Sequence, residues 1–228
     1  LFLFHLERRE LKMANNENKS TLMHDAIMLF VITIIAGVLL GGVYTITKGP
    51  IAAADEKATN EAYAAVYKDA EFKADDTLTK AVESFQKDVT AGKIDDDTFS
   101  YTSEELIEAR TASKDGSQTG YVLKVSGKGY GGAVTIALGI TNEGEVVGIQ
   151  ILDASNETPG LGQNSTKETW NSQYVGMKSD KTLSVVKDGS GSADNGTVNA
   201  ISGATITSKA VTRAVNVALK FVAAQTGK

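Results

Sequence analysis

The chain has 228 residues, 42% of them hydrophobic, with a formal charge of -5, two histidines and no cysteine. That length suits one globular domain with accessory segments, and an acidic balance without long Lys/Arg clusters sets nucleic acid aside as a partner. Without cysteine the chain cannot form disulfides, offer a thiolate nucleophile or hold an iron-sulfur cluster alone.

The two histidines, His5 and His24, both precede the main domain, so a His-based metal site or a Ser-His-Asp triad is not expected there. Chemistry in that domain has to come from a bound cofactor, or there is none. The chain opens LFLFHLERRELK with a methionine at position 13, and residues 1–12 are read as outside the native start.

Residues 26–47, AIMLFVITIIAGVLLGGVYTIT, carry no charge. At 1.5 Å per residue they reach about 33 Å, the thickness of a bilayer core. A transmembrane helix is expected; a signal peptide is the rival, with AAAD at 52–55 as its cleavage site. Arg8, Arg9, Lys12 and Lys19 precede the run, against Lys48 and Lys57 after it. The bias places residues 1–25 in the cytoplasm and the main domain on the extracytoplasmic side. Gly37 and Gly41 form a G-x-x-x-G spacing that would admit another helix, although glycine is common in membrane helices.

Residues 50–76 are rich in Ala, Glu and Lys and read as a helix leaving the bilayer, with a break at Pro50. That helix serves as a stalk or packs on the domain, and residues 48–118 are taken together as a helical stalk and domain entry. Residues 77–118 alternate only weakly, and Asp95, Asp96 and Asp97 read as a solvated turn rather than a calcium loop, lacking the EF-hand glycine and terminal Glu.

The main domain is placed at 119–228. From Tyr121 to Leu152, YVLKVSG, GAVTIALGIT and GEVVGIQIL predict a three-stranded antiparallel meander. The glycines of GKGYGG (Gly127, Gly129, Gly131, Gly132) read as a bend or bulge, a phosphate cradle being the alternative. Pro159 and Gly160 predict a tight turn continued by Leu161 and Gly162. Trp170 and Tyr174 share a helical face, either as core beneath that loop or as a surface for a flat ring. Glu157 would hydrogen-bond a ligand edge or satisfy turn amides.

LSVV at 183–186 and VNAI at 198–201 read as short strands. A small-residue turn and an amphipathic helix from about Lys209 follow, with Thr207 or Ser208 as N-cap. A strand, a bare turn and a helix N-terminus make an anion-binding arrangement suited to phosphate, or simply a capped helix.

The order GKGYGG, ETPGLG, SGATITS behind one transmembrane helix resembles the G subunit of the Rnf electron-transport complex, in the FMN-binding family it shares with the C subunit of the sodium-pumping NADH:quinone reductase. The resemblance spans about residues 26–222 and implies an α+β fold with an antiparallel sheet and packed helices. It also implies FMN joined by its phosphate to the hydroxyl of Thr205, installed by a separate FAD-using flavin transferase. The residues expected around the flavin are Ser202, Gly203, Ala204, Thr207 and Ser208; Glu157, Thr158, Gly160, Leu161, Gly162 and Trp170; and Gly129 and Tyr130.

The family pattern usually carries an acid three positions before the Ser/Thr of its motif, where this chain has Asn199. The implied role is electron relay, with the other Rnf subunits, in a complex coupling ferredoxin oxidation to NAD reduction and moving sodium or protons. The alternatives are the quinone-reductase subunit and a membrane-tethered FMN-binding sensory domain.

Overall fold

The computed structural model describes residues 2–227, with side chains from Leu22 onward. The reading of residues 1–12 lies outside the described side chains. The chain divides into two compact units, up to Asp55 and from Glu56. Helix α1, Phe2–Val66, contributes to both.

In the first unit the described side chains of α1, from Leu22 onward, are largely exposed, and Leu22–Val66 contains a window long and apolar enough to cross a membrane. Among the described residues, the hydroxyls of Thr33, Thr45 and Thr47 donate within the helix to the carbonyls of Phe30, Gly41 and Val43 at 2.8–2.9 Å. Such internal bonding suits a segment in a medium without water. The expected break at Pro50 does not occur, since Pro50 lies inside the helix. Proline deprives the Ile46 carbonyl of one N–H, and the turns on either side carry the helix across that loss.

The second unit is an α+β domain. Its sheet has five antiparallel strands in sequence order: β1 (Glu71–Lys73), β2 (Glu105–Lys114), β3 (Ser117–Lys128), β4 (Ala133–Thr141) and β5 (Val146–Asp153). Helices α2 (Asp76–Thr90) and α4 (Thr205–Thr226) cover one face. There Leu78, Val82, Leu123, Val125, Ile136, Leu138, Val211, Val215 and Phe221 form the main core. Asp75 caps α2, accepting from the Leu78 N–H at 2.7 Å. A one-turn helix α3 (Glu168–Asn171) and a parallel pair, β6 (Ser184–Val186) and β7 (Thr197–Asn199), complete the unit.

The opposite face of the sheet receives the C-terminal end of α1. Ala62, Tyr63, Val66 and Tyr67 pack with Ala112, Val122 and Ala137. The contact needs glycine: Gly139 and Gly148 are cross-strand partners, and a Cβ on either would stand 2.7 or 2.2 Å from the Val66 carbonyl oxygen. Of the two readings of the segment, stalk or helix packed on the domain, residues 56–66 follow the second and are built against the sheet.

With both faces covered, β3 is buried almost throughout. In β2 and β5 the pairing skips Ile107 and Val147. These bulged residues are left exposed because they have no partner in the register.

Asp96, in the acidic run, is a structural clasp. Its carboxylate accepts from the Thr98 and Phe99 N–H groups and from the Tyr101 and Thr182 hydroxyls, and Lys220 of α4 stands 3.2 Å away. Burial alone would raise its pKa, but these donors together bring it down from 3.8 to about 2.

Two outcomes follow from this packing. Gly148→Ala should push the end of α1 off the sheet and lower the unfolding free energy by roughly 1–3 kcal/mol or more, seen as a lower urea midpoint of the purified chain. The depressed carboxyl of Asp96 contributes stability that is present above pH 3.8 and lost as pH falls through about 2. Asp96→Asn should flatten the fall in urea midpoint across that window while lowering the midpoint at neutral pH.

Candidate functional site

Three segments converge on one cleft: the glycine-rich turn between β3 and β4, the loop after β5, and the first turn of α4. The cavity is about 530 Å3, lined by Tyr130, Glu157, Thr158, Leu161, Gly162 and Gly203 to Thr207. That volume falls within the roughly 300–1,000 Å3 of small-molecule sites.

Each wall follows from its sequence. Between β3 and β4, Gly129 donates to the Gly132 carbonyl at 2.7 Å and closes a tight hairpin with Tyr130 at its tip. After β5, the Leu161 N–H meets the Thr158 carbonyl at 3.1 Å, with Gly160 at φ +75°. Pro159 then Gly160 is the type II turn signature, the glycine taking the left-handed position. Before α4, the Ala204 N–H meets the Ile201 carbonyl at 2.9 Å, with Gly203 at φ +75°. The two turns abut, since a Cβ on Gly203 would come within 2.9 Å of Leu161 Cδ2.

Helix α4 begins at Thr205, one turn earlier than the periodicity of its apolar residues indicates. Its N-cap is Ala204, which has no side chain to bond the first turn. Thr207 and Ser208, expected as caps, are inside the helix and buried. The Ser208 hydroxyl donates to the Ala204 carbonyl at 3.0 Å and accepts from the Ile201 N–H at 2.9 Å. The Thr207 hydroxyl donates to Glu157 Oε2. Consequently the N–H groups of Thr205, Ile206 and Thr207 meet no acceptor among the described residues, and they open on the cleft at the positive end of the helix dipole.

Glu157 is 2% exposed and connects all three segments. Besides the Thr207 hydroxyl it accepts the Gly131 N–H, at 2.8 Å to Oε1. The surrounding glycines leave it room: a Cβ on Gly129 or Gly162 would lie 2.4 Å from its oxygens.

Thr205 is partly exposed in the cleft, and its hydroxyl makes no hydrogen bond among the described residues. In SGATITS it is the hydroxyl that both lines the cleft and is uncommitted. Ser202 is exposed but does not line the cleft.

Trp170 is buried beneath the loop, its ring edge-on to Tyr174 at 5.7 Å and its Nε1–H donating to the Asn199 carbonyl at 2.7 Å. It serves the core side of the two readings left open for it. Gly129 and Gly160 shape the walls without lining the cavity. Ile206, half-exposed at the rim, is a lining residue that the sequence reading does not single out; a helix start at Thr205 is what places it there. Asn199 lies behind the cleft, its Oδ1 accepting from the Gly191 N–H at 2.9 Å and its own N–H donating to Gln173 Oε1 at 3.0 Å.

These features fit FMN. An uncapped helix N-terminus suits its phosphate, a free hydroxyl stands beside those amides, and Tyr130, Leu161 and Ile206 offer apolar surface to a ring.

Residues 129–220 match the FMN-binding domain family. The G subunit of the Na(+)-translocating ferredoxin:NAD(+) oxidoreductase complex of Acetobacterium woodii is 34% identical over 196 residues, 85% of this chain and 88% of that protein. The G subunit of the proton-translocating ferredoxin:NAD(+) oxidoreductase complex of Clostridium ljungdahlii is 42% identical over 117 residues, and the match covers 51% of this chain and 60% of that protein. Among solved structures, Shewanella oneidensis NqrC aligns at 23% identity and a TM-score of 0.44, over 52% of this chain and 60% of that one. The chain belongs to the family of G subunits of ion-translocating oxidoreductase complexes, and its C-terminal half is an FMN-binding domain.

Proposed function

We propose that this chain is the membrane-anchored flavoprotein subunit of an ion-translocating ferredoxin:NAD(+) oxidoreductase, holding FMN through a phosphoester at Thr205 and relaying electrons to and from neighbouring subunits. The observation that carries the reading is the uncommitted Thr205 hydroxyl beside three free amides of α4. FMN, when bound, supplies the electron chemistry. The chain's own residues attach and orient. Thr205 provides the ester oxygen, the N–H groups of residues 205–207 take the phosphate charge, and Glu157 holds the first turn of α4 through Thr207.

The family resemblance implies that a separate FAD-using transferase installs the group. The chain is not catalytic alone; it serves within a complex of Rnf subunits. Residues 26–47 are assigned to the membrane span and the FMN site to residues 119–228, within a domain whose first strands and helix come from the 48–118 segment read as stalk and domain entry. The basic residues before the span support residues 1–25 in the cytoplasm and the flavin on the other side. Because the chain has no cysteine, a single Lys187→Cys variant reports sidedness: labelling by an impermeant maleimide in intact cells is expected, and labelling only after lysis would reverse the orientation.

Co-expression with a flavin transferase should give a band that fluoresces on a denaturing gel and an intact mass raised by FMN less water. Thr205→Val should lose both, and a reconstituted complex carrying it should lose electron transfer. Thr205→Val retaining the adduct would refute the tether. Thr207→Val leaves the buried Glu157 carboxylate short of a donor, which costs roughly 1–3 kcal/mol. It should therefore melt lower and load less flavin, while Thr207→Ser keeps both near the parent values.

A further inference from the structure

The walls of the cleft expose apolar surface that packing does not explain. Between residues 56 and 227, Tyr63, Tyr67, Tyr101, Tyr121 and Tyr174 are all at most 7% exposed, while Tyr130 is 73% exposed. Among the described residues its ring has no aromatic or cationic neighbour and its hydroxyl no hydrogen bond. Leu161 and Ile206 are exposed around the same cavity. The bulges that account for Ile107 and Val147 have no counterpart here, as β3 and β4 pair without a register shift from Gly120 to Ala133.

The placement of Tyr130 is also fixed. Its turn is closed by the Gly129–Gly132 bond and held to Glu157 through the Gly131 N–H. Glu157 in turn holds the first turn of α4 through Thr207. One carboxylate thus connects the element that presents an uncommitted hydroxyl to the element that presents an uncommitted ring. An aromatic face left in water beside an apolar cavity has surface to offer a flat partner.

Resting on the tether at Thr205, we propose that Tyr130 is the cover of the cleft: its ring lies against the isoalloxazine of the tethered FMN, shielding it from solvent and quenching its excited state. Thr205 and the α4 amides fix the phosphate end, and Leu161 and Ile206 border the ring's path between them. A phenol is an electron donor to an excited flavin, so contact makes the emission weak. Phenylalanine has the same shape without that donor ability, whereas tryptophan has both shape and donor ability.

The test uses the full-length chain, co-expressed with a flavin transferase, with loading confirmed by intact mass and folding by thermal melting. The emission of bound FMN, relative to the same sample unfolded in urea, and its quenching by iodide are then compared. The parent chain should be dim and poorly accessible to iodide. Tyr130→Leu should be several-fold brighter and readily quenched by iodide, Tyr130→Phe brighter but still protected, and Tyr130→Trp dim and protected. Melting should be unchanged throughout, because the side chain is exposed. Fully loaded Tyr130→Leu with the emission and iodide access of the parent overturns the cover while leaving the tether intact. Tyr130-dependent quenching that appears only when other subunits are added also overturns it, because the ring would then face a protein. A parent chain that takes up no FMN overturns the tether and the cover together.

Discussion

The cleft depends on one buried carboxylate. Glu157 is almost wholly removed from water and accepts hydrogen bonds from a backbone amide of the β3–β4 turn and from a side chain of α4. A carboxylate in such a place is tolerated only when donors meet it, and each missing donor would leave a costly unsatisfied oxygen. That requirement makes the arrangement cooperative. The glycines at 129 and 162 have to be glycines because the carboxylate oxygens occupy the space of their Cβ atoms, and a Cβ on Gly131 would meet the Asn156 carbonyl at 1.9 Å. The glycine-rich motifs that look permissive in sequence are close-packed around an acid.

Behind the cleft, the sheet supplies rigidity through burial on both faces. The α2 and α4 side is an ordinary apolar core; the other side is unusual in using a glycine pair, Gly139 with Gly148, to let a helix backbone rest directly on the strands. An electron carrier benefits from a cofactor site built on elements that do not shift between redox states. Here the hairpin and the helix that form the walls both belong to elements that pack in that core. The β3–β4 ladder is unbroken in register up to the turn that carries Tyr130, and α4 is anchored by Arg213, whose guanidinium meets Glu104 at 2.6 Å and the Lys128 carbonyl at 3.1 Å.

What is legible in the residues, and what is not, has physical causes. The apolar span, the strands from Tyr121 onward, the short strands β6 and β7, and the turns at Gly160 and Gly203 each show a local signal: length, alternation, or glycine beside proline or small residues. The sheet's other strands are hidden. β2 carries a bulge at Ile107, which breaks its alternation, and β1 has only three residues. The α2 helix is hidden although its apolar side is sharply defined, because Asp75, its N-cap, falls at the end of the Ala-, Glu- and Lys-rich stretch that reads as one helix. The start of α4 falls earlier than propensity suggests because Thr205, Thr207 and Ser208 are poor helix formers. Tertiary bonds to Glu157 and the Ile201 amide override that preference. The carboxylate link between Glu157 and Thr207, 50 residues apart, has no sequence signal at all.

Asn199 is where the chain departs from the acid expected at this position, and the structure narrows what that departure can mean. The fold uses the residue three times: its amide N–H toward Gln173, its carbonyl toward the Trp170 indole, and its side-chain oxygen toward the Gly191 N–H. An aspartate would offer the same oxygen and the same backbone groups, so the strand end and its loop would be served equally well by either residue. Nor does the side chain line the cleft. The difference between the two is a unit of charge on a half-buried surface beside the motif, not the geometry of Thr205. On the proposed tether, an effect of Asn199 would have to act through recognition by an installing enzyme, since the Thr205 hydroxyl, the free amides and the carboxylate that positions them are all in place without an acid at 199.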